Sequence, residues 1–275
     1  MKIGFFITAR LKSTRLKKKI LIDLEGQPVL GHVIERAKQV DGVDDVVVCT
    51  STVAQDRPIL DVCRKHGCYY FNGSPGDVLN RLLSAATFFE CDYLLLITAD
   101  NPLFSFENAQ RLVDEIKRDA EVDYLYIDGL PIGMDPYIIR RKAFEVIDAI
   151  KDDDETEFWP EYLKDESVFK HKSIKADPEH SRNFRLTLDY QQDLELFEAI
   201  YRECYDGRPI ATSRVIEYLD ANPVVRALNS SIERSWLNQD RVDQIEAHLK
   251  DNRDKLIALK AEIYDGHGGS TMHPV

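Results

Sequence analysis

Residues 3–19 read IGFFITARLKSTRLKKK, and the rest of the chain is organised around the change of character within this stretch. Residues 3–7 are almost entirely apolar and predict a buried first strand. The residues that follow form a polar loop without an acidic side chain. Its cations are Arg10, Lys12, Arg15, Lys17, Lys18 and Lys19. A loop that leaves the carboxyl end of a parallel strand lies where α/β sheets bind ligands.

This cationic loop belongs to an acidic chain. The sequence has 275 residues and a formal net charge of -12. Positive charge concentrated in such a chain favours an anionic ligand, and the small hydroxyl residues Ser13 and Thr14 suit close approach to phosphate oxygens. A solvated basic loop is the alternative, because charged runs usually face solvent. The pattern favours a phosphate-rich ligand at this loop.

In the first half of the chain, continuous apolar runs alternate with segments whose apolar residues have helical spacing. Further strands are predicted at residues 46–50, 68–71, 93–97 and 124–127, with helices between them. Asp77 is a predicted N-cap for one of these helices. The alternation predicts an α/β fold with a mostly parallel central sheet and helices on both faces.

The pattern is looser after Gly129. Residues 137–139, 169–174 and 184–188 are predicted strands, and the chain is helical from about Ile210. Apolar residues recur at a spacing that suits one face of a long terminal helix: Ile245, Leu249, Leu256, Leu259 and Ile263. Such a helix packs on a partner chain or covers its own domain. We expect a main domain at 1–208, a helical C-terminal extension at 209–265 and a flexible tail at 266–275.

Two aspartates follow predicted strands at one edge of the sheet. Asp100 comes after the strand at 93–97, and Asp189 ends the strand at 184–188. Each aspartate alone is more often a helix cap or a turn residue. However, Mg²⁺ takes one or two carboxylates and leaves its other positions to phosphate and water. Two carboxylates opposite a cationic loop therefore indicate a magnesium site beside a bound triphosphate.

Several classes of protein fit the sequence poorly. It has no Gly-x-x-x-x-Gly-Lys-[Ser/Thr], no Gly-x-Gly-x-x-Gly after the first strand and no Gly-x-Ser-x-Gly. The acidic balance argues against nucleic-acid binding. No apolar run approaches the roughly 20 residues of a membrane span, and the N-terminus lacks the apolar region of a signal peptide. We therefore expect a cytoplasmic protein without membrane or nucleic-acid partners.

Four segments, in the same order as in a known family, carry a resemblance. They are Ala9-Arg10-x-x-Ser13-x-Arg15-Leu16-x-x-Lys19, residues 77–81 (DVLNR), residues 98–103 (TADNPL) and residues 186–194 (LTLDYQQDL). They resemble the sugar cytidylyltransferases: the CMP-Kdo synthetases, the acylneuraminate cytidylyltransferases and, most closely, the SpsF-like spore coat polysaccharide biosynthesis group. The third segment is similar to that family's metal-binding Gly-Asp-x-Pro-Leu, with Ala99 in place of glycine.

The resemblance implies a Rossmann-like nucleotidyltransferase fold, CTP as donor and Mg²⁺ as cofactor. Carried over by position, Arg10 and Lys19 would be catalytic, and Asp100 and Asp189 would bind the metal. The implied nucleotide-binding residues are Thr8, Ala9, Arg10, Ser13, Arg15, Lys19, Gly76, Asp77, Arg81 and Thr98. For Arg81, an ordinary surface arginine on a helix is the alternative. The implied partners are CTP, a small acidic or phosphorylated acceptor, and a second copy of the chain in a homodimer.

One segment departs from the family pattern. Where SpsF-like chains commonly have Glu-His-Val-Thr, this chain has Glu157, Phe158, Trp159 and Pro160. The change indicates either a different acceptor or a repacked lid or dimer contact.

The function that the resemblance implies is transfer of CMP from CTP to a sugar acid or another surface-polysaccharide precursor, with release of pyrophosphate. A phosphorylated non-sugar acceptor is one alternative. A nucleotide-sugar-dependent glycosyltransferase is another, although it normally has Asp-x-Asp at the strand end, which residues 100–102 lack. A non-enzymatic binding subunit is the third.

Overall fold

A central sheet of seven strands forms the frame of the protein, whose computed structural model describes residues 1–232 and 238–266. The strands are β1 (Ile3–Thr8), β2 (Asp23–Leu24), β3 (Gln27–Pro28), β4 (Asp45–Ser51), β5 (Tyr69–Gly73), β6 (Tyr93–Thr98), β7 (Tyr124–Asp128), β8 (Tyr137–Arg140) and β9 (His171–Lys175). The sheet order is β5-β4-β1-β6-β8-β7-β9, while β2 and β3 form a separate hairpin. Only β8 runs antiparallel to its neighbours within this sheet. The predicted mostly parallel sheet is confirmed.

Helices cover both faces of this sheet, as predicted. They are α1 (Val29–Ala37), α2 (Arg57–His66), α3 (Val78–Phe88), α4 (Phe106–Arg118), α5 (Arg141–Ile150), α6 (Gln191–Cys204), α7 (Thr212–Ala221), α8 (Pro223–Arg226), α9 (Gln239–Asp251) and α10 (Arg253–Tyr264). Short 3₁₀ segments span Lys19–Leu21, Ala54–Asp56 and Thr156–Leu163. None of the helices in the described residues is long and apolar enough to cross a membrane.

The central strand β1 is buried on both faces. Phe5 and Ile7 pack into the core beneath α1 and α4, whereas Phe6 packs into the core beneath α3 and α5. Successive side chains of a strand point to opposite faces, so a strand covered on both sides is a continuous apolar run. Gly4 leaves room for this packing, since a Cβ there would lie 2.5 Å from the Phe6 ring.

Residues 184–188 do not form a sheet strand, so that prediction is wrong. The segment makes an isolated bridge between Ile132 and Arg185. The backbone N–H of Leu186 donates to the Ile132 carbonyl at 2.7 Å, and that of Leu188 donates to the Asp100 carbonyl at 2.9 Å. Leu186 and Leu188 are buried with α6 and α7. The apolar alternation reflects this burial, but the backbone partners belong to two loops.

The C-terminal part of the chain forms two helices, so the prediction of one long helix is wrong. The break lies at Asn252, whose side-chain amide donates to the His248 carbonyl at 2.9 Å and so competes with the helical backbone. Ile245 and Leu256 are buried against α5 and the Thr156–Leu163 segment. These helices therefore cover their own domain, one of the two expected arrangements.

Two expectations about domains stay open. The division between residues 208 and 209 stays a prediction. The tail predicted at 266–275 lies, apart from Gly266, outside the described residues.

The packing of α10 can be tested at two neighbouring residues. Leu256 is 1% exposed and Ile257 is 43% exposed. We expect Leu256→Ala to lower the free energy of unfolding by about 2–5 kcal/mol, because it leaves a cavity in the core. Ile257→Ala is the matched control and should change it by less than about 0.5 kcal/mol. Urea unfolding followed by circular dichroism measures both, and equal effects would mean that α10 is not packed as described.

Candidate functional site

The cationic loop begins where three parallel strands end. Thr8, the last residue of β1, lies between Cys49 of β4 and Thr98 of β6 in the strand register. The backbone continues the pairing, since Ala9 N–H donates to the Cys49 carbonyl at 3.0 Å and Ala99 N–H donates to the Thr8 carbonyl at 2.9 Å. The predicted nucleotide-binding residues Thr8, Ala9 and Thr98 thus lie together at one sheet edge.

Lys19 connects the loop to both predicted metal-binding aspartates. Its Nζ donates to Asp100 Oδ2 at 2.5 Å and to Asp189 Oδ1 at 2.7 Å. The Lys19 side chain is 13% exposed. Burial acts to lower the pKa of the ammonium, but the charges of Asp100 and Asp189 outweigh burial and raise the pKa. Three residues that the sequence placed at separate positions therefore meet at one point.

Arg185 and Asp193 hold Asp189 in place. Arg185 Nη2 donates to Asp189 Oδ2 at 2.8 Å, and its Nε donates to Asp193 Oδ1 at 3.0 Å. Asp193 Oδ2 also accepts the backbone N–H of Asp189 at 2.9 Å. Burial acts to raise the pKa of Asp189, but Lys19 and then Arg185 outweigh it and lower the pKa. The Asp189 carboxylate is thus fixed from two sides.

No motif quoted above identifies Arg185 as part of the site. Spacing gives no signal either, because residues i and i+4 of a strand share a face but lie about 13 Å apart. The 2.8 Å contact between Arg185 and Asp189 therefore depends on the fold of this segment and could not be predicted from the pattern.

Asp100 is held by its own loop. Thr98 Oγ1 donates to Asp100 Oδ1, and Asn101 Nδ2 donates to Thr98 Oγ1 at 2.8 Å. The bond from Leu188 N–H to the Asp100 carbonyl joins this loop to the segment that carries Asp189. The two aspartates are therefore brought together by backbone as well as by Lys19.

Arg15 lies beside the aspartate pair and contacts neither carboxylate. Its Nη1 donates to the Tyr190 hydroxyl at 3.0 Å, and its guanidinium carbon lies 5.0 Å from the centroid of that ring. Ser13, in the same loop, is half-buried. Arg15 thus lies against the residue that follows Asp189, and the nucleotide-binding role of Ser13 stays a prediction.

Asp56 anchors the beginning of the loop. Its side chain is buried, and its Oδ1 accepts the backbone N–H of Leu11 at 2.8 Å. Its Oδ2 accepts the hydroxyl of Ser51 at the end of β4. A buried carboxylate with both oxygens bonded fixes its partners in position. No sequence motif points to Asp56, because its backbone partner is 45 positions away.

Arg10 points to a different side of the site. Its Nη2 forms an ion pair with Glu157 Oε1, and both side chains are largely exposed. Arg81 is 2% exposed, and its Nη1 donates to the Ser74 carbonyl at 2.8 Å. The surface-arginine alternative for Arg81 is therefore wrong. Arg10 and Arg81 do not contact the Lys19 cluster within the described part of the chain.

Gly76 and Asp77 join the start of α3 to the segment before Glu157. Asp77 caps α3 as predicted, since its Oδ1 accepts the Asn80 N–H at 3.0 Å. The same carboxylate pairs with Lys151 and accepts the Thr156 hydroxyl. A Cβ on Gly76 would lie 2.7 Å from Glu155 Oε1. These contacts hold the 151–157 segment, and with it Glu157, close to α3.

One residue of the segment that departs from the family pattern, Trp159, is packed into the domain. Trp159 is 4% exposed, and its ring centroid lies 4.9 Å from Phe144 and 6.1 Å from Tyr137. The tryptophan therefore belongs to the core beneath α5, which favours the interpretation of this departure as repacking.

The two aspartates fit a hard divalent cation. Asp100 Oδ2 and Asp189 Oδ1 converge on one nitrogen, and carboxylate oxygens are the ligands that Mg²⁺ takes together with phosphate and water. Residues 1–232 and 238–266 contain no group of three or more His, Cys, Asp or Glu side chains arranged to hold a metal. The chain thus offers one carboxylate pair at this position.

Sequence comparison identifies similar proteins over most of the chain. A family model described as cytidylyltransferase matches residues 5–226. An uncharacterized protein of Methanocaldococcus jannaschii is 29% identical over 238 residues, 85% of this chain and 97% of that protein. The spore coat polysaccharide biosynthesis protein SpsF of Bacillus subtilis is 27% identical over 229 residues, 80% of this chain and 95% of SpsF. A 3-deoxy-manno-octulosonate cytidylyltransferase of Chloroherpeton thalassium is 33% identical over 107 residues, 38% of this chain and 41% of that enzyme.

Solved structures share the fold. A cytidylyltransferase from Leptospira borgpetersenii has a TM-score of 0.78 at 26% identity and covers 85% of this chain and 100% of its own. A CMP-2-keto-3-deoxy-manno-octonic acid synthetase complexed with CTP has a TM-score of 0.58 at 18% identity, covering 74% and 99%. A Mycobacterium tuberculosis protein in complex with manganese has a TM-score of 0.54 at 15% identity, covering 72% and 99%. The predicted Rossmann-like nucleotidyltransferase fold is confirmed.

Proposed function

Because this chain belongs to the cytidylyltransferase family, we propose that it transfers CMP from CTP to a sugar acid or another surface-polysaccharide precursor, with release of pyrophosphate. It is a CTP-dependent nucleotidyltransferase, so the non-enzymatic alternative is not retained. The observation that carries the proposal is the buried contact of Lys19 with Asp100 and Asp189 at the ends of parallel strands. A phosphorylated non-sugar acceptor is the alternative.

The proposed reaction is an in-line displacement. An acceptor oxygen forms a bond to the α-phosphorus of CTP, the bond from that phosphorus to the oxygen that bridges to the β-phosphate breaks, and pyrophosphate leaves with that oxygen. If the acceptor is a hydroxyl, its proton passes to water, and a phosphate oxygen has no proton to lose. Such chemistry depends mostly on positioning and charge stabilisation. Lys19 would neutralise charge that grows on the α-phosphate, and Arg10 charge on the leaving group. Asp100 and Asp189 would hold Mg²⁺, which when bound would supply positive charge that polarises the phosphate.

We propose two kinds of role for the other nucleotide-site residues. Thr8, Ala9, Ser13, Arg15 and Thr98 lie at the strand ends or in the cationic loop and would contact the nucleotide directly. Gly76, Asp77 and Arg81 make contacts within the fold, through the 73–77 turn and the 151–157 segment. They would shape the pocket beside Arg10.

A screen for pyrophosphate release tests the proposed function. The chain is mixed with Mg²⁺, one nucleotide and one candidate acceptor at a time: 3-deoxy-ulosonic acids, nonulosonic acids and phosphorylated small molecules. We expect release with CTP and not with ATP, GTP or UTP, together with a CMP-linked product detected by mass spectrometry. A parallel incubation has a nucleotide sugar in place of the nucleotide, and its consumption without release of pyrophosphate would instead support the glycosyltransferase alternative.

Two substitutions test the assignment of the charged residues. Lys19→Ala and Asp100→Ala should each lower kcat by about 10²–10³-fold, or about 2.7–4 kcal/mol, because each removes a group that stabilises transition-state charge. Lys65→Ala on α2 and Asp114→Ala on α4 remove charges of the same sign from exposed positions outside the loop and should leave kcat unchanged. Circular dichroism confirms folding. Near-normal turnover in either site variant would refute the assignment.

We propose that the homodimer forms along the outer edge of β5. This strand ends the sheet, and an unpaired edge is a template for pairing with another chain. Tyr69 and Tyr70 of this strand are 58% and 40% exposed, and Phe88 at the end of α3 is 71% exposed. Exposed apolar patches mark association sites, and a twofold axis places the same edge on both subunits.

Light scattering coupled to size-exclusion chromatography tests this interface. We expect the wild-type chain to be a dimer and the Phe88→Glu variant to be a monomer, because a charge within the patch would have to be buried without a partner. Val224→Glu, at an 81% exposed site on α8, is the control and should stay dimeric. A monomeric wild-type chain would contradict the proposal.

A further inference from the structure

The ammonium of Lys19 lies where two carboxylates converge. It donates to Asp100 Oδ2 at 2.5 Å and to Asp189 Oδ1 at 2.7 Å, and it is 13% exposed. In the proposed function, these two carboxylates bind a divalent cation. A cation that binds both oxygens and an ammonium that bonds both oxygens need the same space, so the two compete.

We propose that Lys19 is an exchangeable cation. It bridges Asp100 and Asp189 while the site lacks nucleotide, and it moves onto the phosphates when a divalent cation takes the carboxylates. This inference rests on the proposed function, because it takes the aspartate pair to be the metal site. It adds that the affinity for the metal depends on bound nucleotide, and the affinity for the nucleotide depends on bound metal.

The carboxylates keep their positions without Lys19. Arg185 bonds both Asp189 and Asp193, and Asp193 in turn accepts the backbone N–H of Asp189. Thr98 donates to the Asp100 carboxylate. Departure of the lysine therefore leaves a pair of oriented carboxylates, and not a collapsed site.

The lysine side chain can move while its backbone stays fixed. The next residue, Ile20, is 2% exposed and packs in the core beneath α1. The Lys19 side chain itself is a flexible four-carbon stem with a compact charge. Exchange thus requires rotation of one side chain and leaves the strand ends undisturbed.

Charge explains why each ligand helps the other. A metal that enters alone displaces a buried ammonium and leaves it without a counter-charge, which is costly. A triphosphate that enters alone meets a lysine already neutralised by two carboxylates, and it is repelled by those carboxylates. When both enter, the phosphates receive Lys19 and the metal receives Asp100 and Asp189. Coupling of this kind is reciprocal.

Titration with Mn²⁺ followed by electron paramagnetic resonance tests the exchange without any turnover. In the absence of nucleotide, we expect Lys19→Met to bind Mn²⁺ on the order of tenfold more tightly than the wild type, within the 5–150-fold range typical of coupled sites. Lys17→Met removes the same charge from an exposed position in the loop and is the matched control. It should bind Mn²⁺ like the wild type. CTP should tighten Mn²⁺ binding strongly in the wild type and weakly in Lys19→Met.

The outcomes distinguish failure of the Lys19 exchange from failure of the proposed function. Equal Mn²⁺ affinity of Lys19→Met and Lys17→Met without nucleotide, with CTP-dependent binding intact in the wild type, would overturn the exchange and leave the proposed function standing. Absence of Mn²⁺ binding in every variant, with and without CTP, would overturn both. Lys19→Gln serves as the second variant if the methionine variant fails to fold by circular dichroism.

Discussion

The site depends on one buried ammonium between two carboxylates. Lys19 is 81 positions from Asp100 and 170 from Asp189, so the contact exists only in the folded chain. Buried charges are costly unless they are paired and well bonded. Here both carboxylates have further donors, from Thr98 and from Arg185. A cluster of this kind is weak evidence for stability, and it fits a site that handles charged ligands.

The sheet edge makes this contact possible. β1 and β6 end in register at Thr8 and Thr98, which brings the cationic loop and Asp100 to the same side. Asp56 ties the loop to the end of β4 through Leu11. The bond between the backbones of Leu188 and Asp100 adds the segment that supplies Asp189. Each element of the cluster is therefore positioned by contacts of its backbone as well as by the contacts among Lys19, Asp100 and Asp189.

The C-terminal helices extend this framework to the second side of the site. Arg241 of α9 donates to Asp152 Oδ1 at 2.9 Å, and Asp152 belongs to the 151–157 segment, which ends at Glu157. Glu157 pairs with Arg10, and Asp77 holds the same segment against α3. A C-terminal region that covers its own domain thus also braces the residues around Arg10. The 151–157 segment thus contacts α9 through Asp152 and Arg10 through Glu157.

The sequence by itself determined the buried strands, the cationic loop and the position of Asp100. A strand covered on both faces is a continuous apolar run, and a polar residue after it marks the sheet edge. Tertiary structure alone decided the roles of Arg185 and Asp56, the loop partners of residues 184–188 and the packing of the two terminal helices. Apolar periodicity records that a residue is buried and does not record which distant backbone it contacts. Those contacts between distant residues exist only in the folded chain.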